Sequence, residues 1–154
     1  MNIGIILYSQ TGNTLSVAQK LQEKLAAAGH SVTLERIEVV GDIAPGQAVQ
    51  FKTVPDAAPY EALVLGGPVQ AFSLNPVMKA YLEKLPAISG KKVAVYVTKQ
   101  LPLLQVGGTG AIAHMKKACA AKGGTVVGSE IVVWAEKKRD KTIKNCVDQI
   151  SGLF

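Results

Sequence analysis

Apolar and polar positions follow two different periods along this chain, and their alternation predicts a series of strands and helices. The first segment, from Ile3 to Tyr8, is almost continuously apolar, which is typical of a parallel strand buried on both faces. From Thr14 the apolar positions recur every three or four residues as far as Ala28, and Gly29 follows as a helix-ending residue. The pattern therefore predicts a buried strand, a polar turn over residues 9–13 and an amphipathic helix.

The same alternation continues along the rest of the chain. Further strands are predicted at 31–37, 62–65, 93–97 and 126–133. Helical spacing is found at 75–85, 111–122 and 136–150. This order predicts right-handed crossovers and a doubly wound α/β fold, in which a five-stranded, mostly parallel sheet is covered by helices on both faces.

One connection, residues 39–59, does not fit the pattern. It contains three prolines and two glycines and has no clear apolar period. Because a structureless stretch of that length is uncommon in a compact domain, we expect a second crossover helix that is short, distorted or absent.

Composition narrows the class of protein. The chain has 154 residues, of which 48% are hydrophobic and 18% charged, so intrinsic disorder is excluded and a single domain over 1–154 is expected. No apolar run approaches the roughly 18 residues of a membrane-spanning helix. The first strand has no basic leader before it, and we expect a cytoplasmic protein without membrane contact.

The net charge of +6, from 17 basic and 11 acidic residues, indicates either an acidic partner or nucleic acid. The basic residues are spread over several segments, and the densest cluster, at 137–141, has no interleaved aromatic residues. A basic, solvated helix face is the commoner meaning of such a cluster, so nucleic acid is not expected and an acidic redox partner is a hypothesis. The two cysteines, Cys119 and Cys146, have no redox or metal-ligand spacing and are interpreted as ordinary helix residues.

Candidate chemistry is expected in the segments after the first, third and fourth strands, because ligands of open parallel sheets bind at the carboxyl ends of the strands. The first segment, Ser9–Thr14, offers hydroxyl and amide donors, a glycine and the backbone N–H groups of a helix start, which together suit a terminal phosphate. Neither a nucleoside-triphosphate P-loop nor a dinucleotide fingerprint is present. Simple helix capping by Ser, Thr and Asn remains the alternative interpretation.

This segment, Ser9-Gln10-Thr11-Gly12-Asn13-Thr14, directly after an amino-terminal strand resembles the FMN phosphate loop of flavodoxins. The run Leu65–Ala71, followed by Asn75-Pro76 and a helix, resembles the flavin-contacting segment of the same family. The resemblance covers essentially the whole chain. It implies a flavodoxin-like three-layer sandwich with strand order 2-1-3-4-5 and one FMN held non-covalently beside strands one and three.

The resemblance implies a set of FMN-binding residues and no catalytic residue or metal site. In the first segment they are Ser9, Gln10, Thr11, Gly12, Asn13 and Thr14; in the second, Pro68, Val69, Gln70, Ala71 and Phe72; in the third, Thr98, Lys99, Gln100, Leu101, Gly107 and Gly108.

The chain departs from the family pattern around the flavin ring. Gln70 stands where a Trp is frequent, the third segment has no aromatic residue, and Phe72 either compensates or packs on the surface. Lys99 replaces acidic residues, so we hypothesise a less reducing flavin than in acidic flavodoxins. The run Gly107–Gly110 is interpreted as a flexible segment that ends at Thr109 as a helix cap.

Three functions are compatible with the sequence. The first is an electron carrier that exchanges electrons with a redox partner protein, acidic by charge complementarity, as a monomer or weak dimer. The second is an NAD(P)H-dependent FMN oxidoreductase that reduces a quinone or similar small acceptor, for which the third segment leaves room over the flavin. The third is a non-redox interaction domain without flavin.

Overall fold

Strands and helices alternate through the residues that the computed structural model describes, which are 1–41, 47–100, 107–135 and 137–154. The strands are β1 (Asn2–Leu7), β2 (Ser31–Arg36), β3 (Glu38–Val39), β4 (Phe51–Thr53), β5 (Ala62–Gln70), β6 (Ser73–Leu74), β7 (Lys92–Lys99) and β8 (Thr125–Val133). The helices are α1 (Asn13–Ala27), α2 (Pro76–Lys84), α3 (Gly108–Ala121) and α4 (Arg139–Ser151).

The main sheet has the order β2-β1-β5-β7-β8, and the four pairings along this path are all parallel. In terms of the five predicted strands this is the order 2-1-3-4-5. A sixth strand, β6, pairs antiparallel with the end of β5. The register places Ile3 of β1 between Val32 of β2 and Ala62 of β5. The predicted doubly wound, flavodoxin-like α/β sandwich is confirmed.

Two apolar layers hold the sandwich together, one on each face of the sheet. On one face Leu63 and Val95 pack against helices α2 and α3, with Met78 and Met115 fully buried between them. On the other face the alternate strand residues pack against α1 and α4. Each fully buried side chain of this size stabilises the fold by about 1.5–3 kcal/mol, which explains why the middle positions of the central strands are apolar.

The irregular connection forms a small antiparallel sheet of β3 and β4 instead of a crossover helix in its described part, 39–41 and 47–59. Its second half is anchored on the core. The Lys91 ammonium donates to the carbonyl oxygens of Ala57, Ala58 and Tyr60 at 3.0, 2.8 and 2.6 Å. The Tyr81 hydroxyl donates to the carbonyl of Pro55 at 2.6 Å, and burial raises the pKa of Tyr81.

The structure corrects several predicted boundaries at the carboxyl edge of the sheet. Strand β5 continues to Gln70, beyond the predicted end at 65, because β6 pairs with its last residues. Residues 68–70 are therefore strand and not loop. Helix α3 begins at Gly108 with Gly107 as its N-cap, so Thr109 is not the cap but lies inside the first turn. Helix α4 begins at Arg139, and Glu136 lies outside the described residues.

The two cysteines lie in different layers of the sandwich. Cys119 is buried in the layer under α3, and Cys146 is buried in the layer under α4. Burial raises the pKa of the Cys119 thiol to about 11 and that of Cys146 further. Because the sheet separates them, they cannot pair, and their interpretation as helix residues is confirmed.

None of the helices in the described ranges is long and apolar enough to cross a membrane.

Gly66, in the central strand β5, makes room for the ring of Tyr96. A Cβ at this position would lie 2.3 Å from Tyr96 Cζ and 2.6 Å from its hydroxyl oxygen. We expect Gly66→Ala to destabilise the protein by about 1–3 kcal/mol, because a buried ring must move within a close-packed core. Urea unfolding measures the change.

Gly110→Ala is the matched control for this substitution. Gly110 lies within α3, and a Cβ there meets nothing within 4 Å. This variant is expected to be neutral or more stable by up to about 1 kcal/mol, because Ala has the higher helix propensity. Equal effects of the two substitutions would contradict the packing argument.

Candidate functional site

The turn between β1 and α1 is organised around the side chain of Ser9. The Ser9 oxygen accepts hydrogen bonds from the N–H groups of Gly12, at 3.1 Å, and Leu15, at 3.3 Å. Gly12 is the N-cap of α1 with φ 95°, a left-handed conformation that favours glycine. Ser9 thus satisfies two N–H groups of the helix start and fixes the shape of the turn.

Two other N–H groups of the same turn remain available. Those of Asn13 and Thr14 form no hydrogen bond within the described ranges, and the first turn of α1 holds no acidic residue. Unpaired N–H groups at the positive end of a helix dipole attract an anion. This part of the turn fits a terminal phosphate group.

The start of α1 is tied to the end of β7 by two buried hydrogen bonds. The hydroxyl oxygens of Thr14 and Thr98 lie 2.8 Å apart. The Tyr96 hydroxyl donates to the carbonyl oxygen of Thr14 at 2.8 Å, and burial raises the pKa of Tyr96 well above its usual range. Tyr96 was not predicted as a site residue, since its strand position indicates only core packing.

The second segment is a tight hairpin. Val69 pairs with Leu74 and Gln70 with Ser73, which leaves Ala71 and Phe72 as a two-residue turn with φ of 49° and 63°. Left-handed backbone costs a residue with a Cβ about 1–2 kcal/mol, and such turns normally contain Asn and Gly. Phe72 is nonetheless 73% exposed, so packing of its ring does not explain this conformation.

Gly107 supports this turn from the start of α3. Its φ is 83°, and a Cβ there would lie 2.7 Å from a methyl carbon of Val69 and 2.8 Å from the carbonyl carbon of Phe72. Asn75 supports the hairpin from its other side. The Asn75 side chain accepts from the N–H of Val77 at 2.7 Å and donates to the Gln70 side chain at 2.5 Å.

Two neighbouring clefts open at this edge of the sheet. The first has a volume of about 190 Å³ and lies between all three predicted segments; its lining residues are Gln10, Thr11, Asn13, Pro68, Val69, Gln70, Thr98, Lys99 and Gln100. The second has a volume of about 320 Å³ and shares Gln10 and Gln70 with the first; its other lining residues are Tyr8, Ser9, Gly41, Asn75, Pro76 and Val77.

Nine of the predicted binding residues therefore line the first cleft. The others lie around it: Ser9, Gly12 and Thr14 form the base of the first turn, Ala71 and Phe72 form the hairpin turn, and Gly107 packs on that turn. Gly108 begins α3 beside the Lys99 side chain. Leu101 lies outside the described residues.

The fold that surrounds these clefts is that of flavodoxins, as comparison with solved structures shows. A short-chain flavodoxin associated with a bacterial microcompartment aligns with a TM-score of 0.75 at 15% identity, covering 99% of this chain and 96% of that one. Flavodoxin 2 from Bacillus cereus gives 0.72 at 21% identity, covering 99% and 97%. A Fusobacterium nucleatum flavodoxin mutant bound to flavin mononucleotide gives 0.68 at 18% identity, covering 97% and 93%.

No protein-family model and no curated protein sequence matches the chain. At these identities the structural likeness establishes the fold alone.

The buried bond between Thr14 and Thr98 predicts a measurable coupling between α1 and β7. Thr98→Val keeps the shape of the side chain but removes its hydroxyl, and it leaves the buried Thr14 hydroxyl with one partner fewer. We expect a loss of about 1–2 kcal/mol in the free energy of unfolding, measured with urea.

Thr125→Val is the matched control, since Thr125 is exposed at the start of β8 and its hydroxyl forms no hydrogen bond within the described residues. It should change stability by less than about 0.5 kcal/mol. A similar loss in both variants would show that the buried bond has no special weight.

Proposed function

We propose that this chain binds one FMN non-covalently in the first cleft and carries electrons between partner proteins. The observation that carries the proposal is the pair of unpaired N–H groups, on Asn13 and Thr14, at the start of α1 in a flavodoxin-like fold. One of the structurally similar flavodoxins is solved with flavin mononucleotide bound.

The residues of the first turn suit the phosphate of FMN. The N–H groups of Asn13 and Thr14 donate to it, and the side chains of Thr11 and Asn13 line the same cleft. The bonds of Thr14 to Thr98 and Tyr96 hold the donors in place before the ligand arrives. Such preorganisation lowers the entropy cost of binding.

The hairpin suits the flavin ring. Pro68, Val69 and Gln70 line the cleft beside the first turn, and the strained turn holds the exposed Phe72 next to them. Backbone strain of this kind is concentrated at functional sites, where the surrounding structure enforces it. When bound, FMN supplies the redox chemistry by accepting electrons from one partner and donating them to another.

A second candidate function, an NAD(P)H-dependent oxidoreductase, is favoured by the second cleft. It is larger than the first, shares Gln10 and Gln70 with it and gives a small acceptor a place beside the flavin. Oxidation of NAD(P)H by the FMN-loaded protein without an added reductase would favour this function. Stepwise anaerobic reduction that proceeds by single electrons would favour the carrier.

An acidic partner is proposed for the carrier on the basis of the charges at the same edge of the sheet. Lys137, Lys138 and Arg139 follow the carboxyl end of β8; the first two are exposed, and the Arg139 guanidinium lies 5.9 Å from the ring centroid of Trp134. Transient electron-transfer complexes have small interfaces and are steered by charge.

Asn13→Asp tests the phosphate site. A carboxylate at the first helical residue lies beside the phosphate, and like charges about 4 Å apart repel by roughly 1–4 kcal/mol. We expect the affinity for FMN to fall at least about tenfold, whereas the affinity for riboflavin, which has no phosphate, stays unchanged. Fluorescence titration of both flavins measures the two constants.

Two observations control this experiment. The ligand-free Asn13→Asp protein should be as stable as the parent or more stable, because an acidic residue in the first turn favours a helix. Asn145→Asp, an exposed position in α4, should leave both affinities unchanged. If FMN and riboflavin bind the parent equally well, the first turn does not hold the phosphate.

The proposed acidic partner predicts a salt-dependent rate. Electron transfer from the FMN-loaded protein to a ferredoxin of net negative charge should slow as the ionic strength rises from about 0.01 to 0.5 M, since the Debye length falls from about 30 Å to a few Å. The double variant Lys137→Glu, Lys138→Glu should be about tenfold slower at low salt and less sensitive to salt.

Lys92→Glu is the control for this pair, because Lys92 is exposed at the opposite, amino-terminal edge of the sheet. Stopped-flow absorbance records the rates. A rate that does not depend on salt would rule out charge steering.

A further inference from the structure

Lys99 is the last residue of β7 and one of the few charged side chains buried in the described residues, with an exposed fraction of 7%. The backbone N–H of Trp134 donates to the carbonyl oxygen of Lys99 at 2.7 Å, which fixes the backbone of Lys99. Because side chains alternate along a strand, Lys99 projects to the face of α3, as Val97 does, and Thr98 projects to the face of α1.

The Lys99 stem packs against the first turn of α3. A Cβ built on Gly108 would lie 3.4 Å from Lys99 Cδ and 3.3 Å from Ile131 Cδ1, so glycine at 108 accommodates the stem. This position is electrostatically unfavourable for an ammonium group, since cations are destabilising near a helix N-terminus.

No carboxylate compensates the Lys99 charge in the described parts of the chain. None lies within 4.0 Å of its ammonium nitrogen, and no Asp or Glu lines the cleft that Lys99 faces. The neighbouring segment 101–106 contains no acidic residue in its sequence. Lys99 lines the first cleft, so an anion bound in that cleft lies within reach of its ammonium group.

In the proposed site the phosphate of a bound FMN already has donors of its own. Its proposed donors lie at the start of α1, on one face of the sheet, and Lys99 lies on the other face, beside the hairpin proposed to contact the ring. The remaining ligand group that becomes anionic is the flavin ring itself, on full reduction.

We propose that Lys99 is the counter-ion of fully reduced FMN and makes the protein discriminate between the two oxidation states of its cofactor. This inference rests on the proposed FMN site. Two electrons from a reduced partner protein or from dithionite, with one proton from solvent, would convert the neutral ring of oxidised FMN into a reduced ring with one negative charge. The Lys99 ammonium group stabilises that charge.

Lys99→Met tests the inference, since methionine preserves an unbranched apolar stem and removes the charge. The affinities of the FMN-free protein for oxidised FMN and for dithionite-reduced FMN are measured anaerobically by titration. We expect the variant to lose about tenfold in affinity for reduced FMN relative to oxidised FMN. That ratio corresponds to a midpoint potential about 30 mV more negative for the two-electron couple.

Lys117→Met is the matched control, because Lys117 is an exposed residue of the same helix. It should leave both affinities unchanged. Thermal unfolding without ligand gives a second readout: Lys99→Met and Lys117→Met should both be about as stable as the parent, so that a change in the affinity ratio reports on the ligand and not on the fold.

Equal changes in the two affinities, with an unchanged potential, would overturn the role of Lys99 and leave the FMN site in place. Failure of the unsubstituted chain to bind either form of FMN would overturn the proposed function and this inference with it. The two failures are thus distinguished by the parent protein alone.

Discussion

The hydrogen bonds of Thr14 to Thr98 and Tyr96 are the constraint on which the candidate site depends. They join residues 84 and 82 positions apart in the sequence, and they cross strand β5, which lies between β1 and β7. The Tyr96 ring can take this path because Gly66, on β5, has no side chain. The absence of a side chain at Gly66 therefore lets Tyr96 hold the start of α1, whose N–H groups lie beside the first cleft.

The fold could be predicted from the sequence where it depends on local patterns, and not where it depends on contacts between distant residues. The alternation of buried strands and amphipathic helices depends on local periods, and the predicted elements and strand order were confirmed. The predicted third strand ends at residue 65, before Gly66, whereas β5 continues to Gln70. The reason for Gly66 is a ring 30 positions away, and no local pattern contains that information.

The candidate site, likewise, could be predicted only where its residues are adjacent in the sequence. The first turn was recognised because its donors and its helix start are adjacent in sequence. The sequence predicts a loop where the structure has a hairpin, because Ala71-Phe72 lacks the Asn and Gly typical of such a turn. Gly107, which supports the turn, comes from a distant part of the chain. Segment 39–59 has no apolar period, and its last part is held by side chains from later in the chain, since Tyr81 bonds Pro55 and Lys91 bonds Ala57.

The residues that depart from the usual rules of backbone conformation, charge pairing and hydrogen bonding lie in one region. A phenylalanine in left-handed backbone, a lysine without a described counter-ion and N–H groups without acceptors all lie at the carboxyl edge of the main sheet. Sequences normally satisfy such rules throughout, and exceptions are concentrated at functional sites. The proposed FMN would complement each exception: its phosphate would accept from the N–H groups, its flat ring would contact the exposed aromatic side chain, and its reduced ring would pair with the lysine.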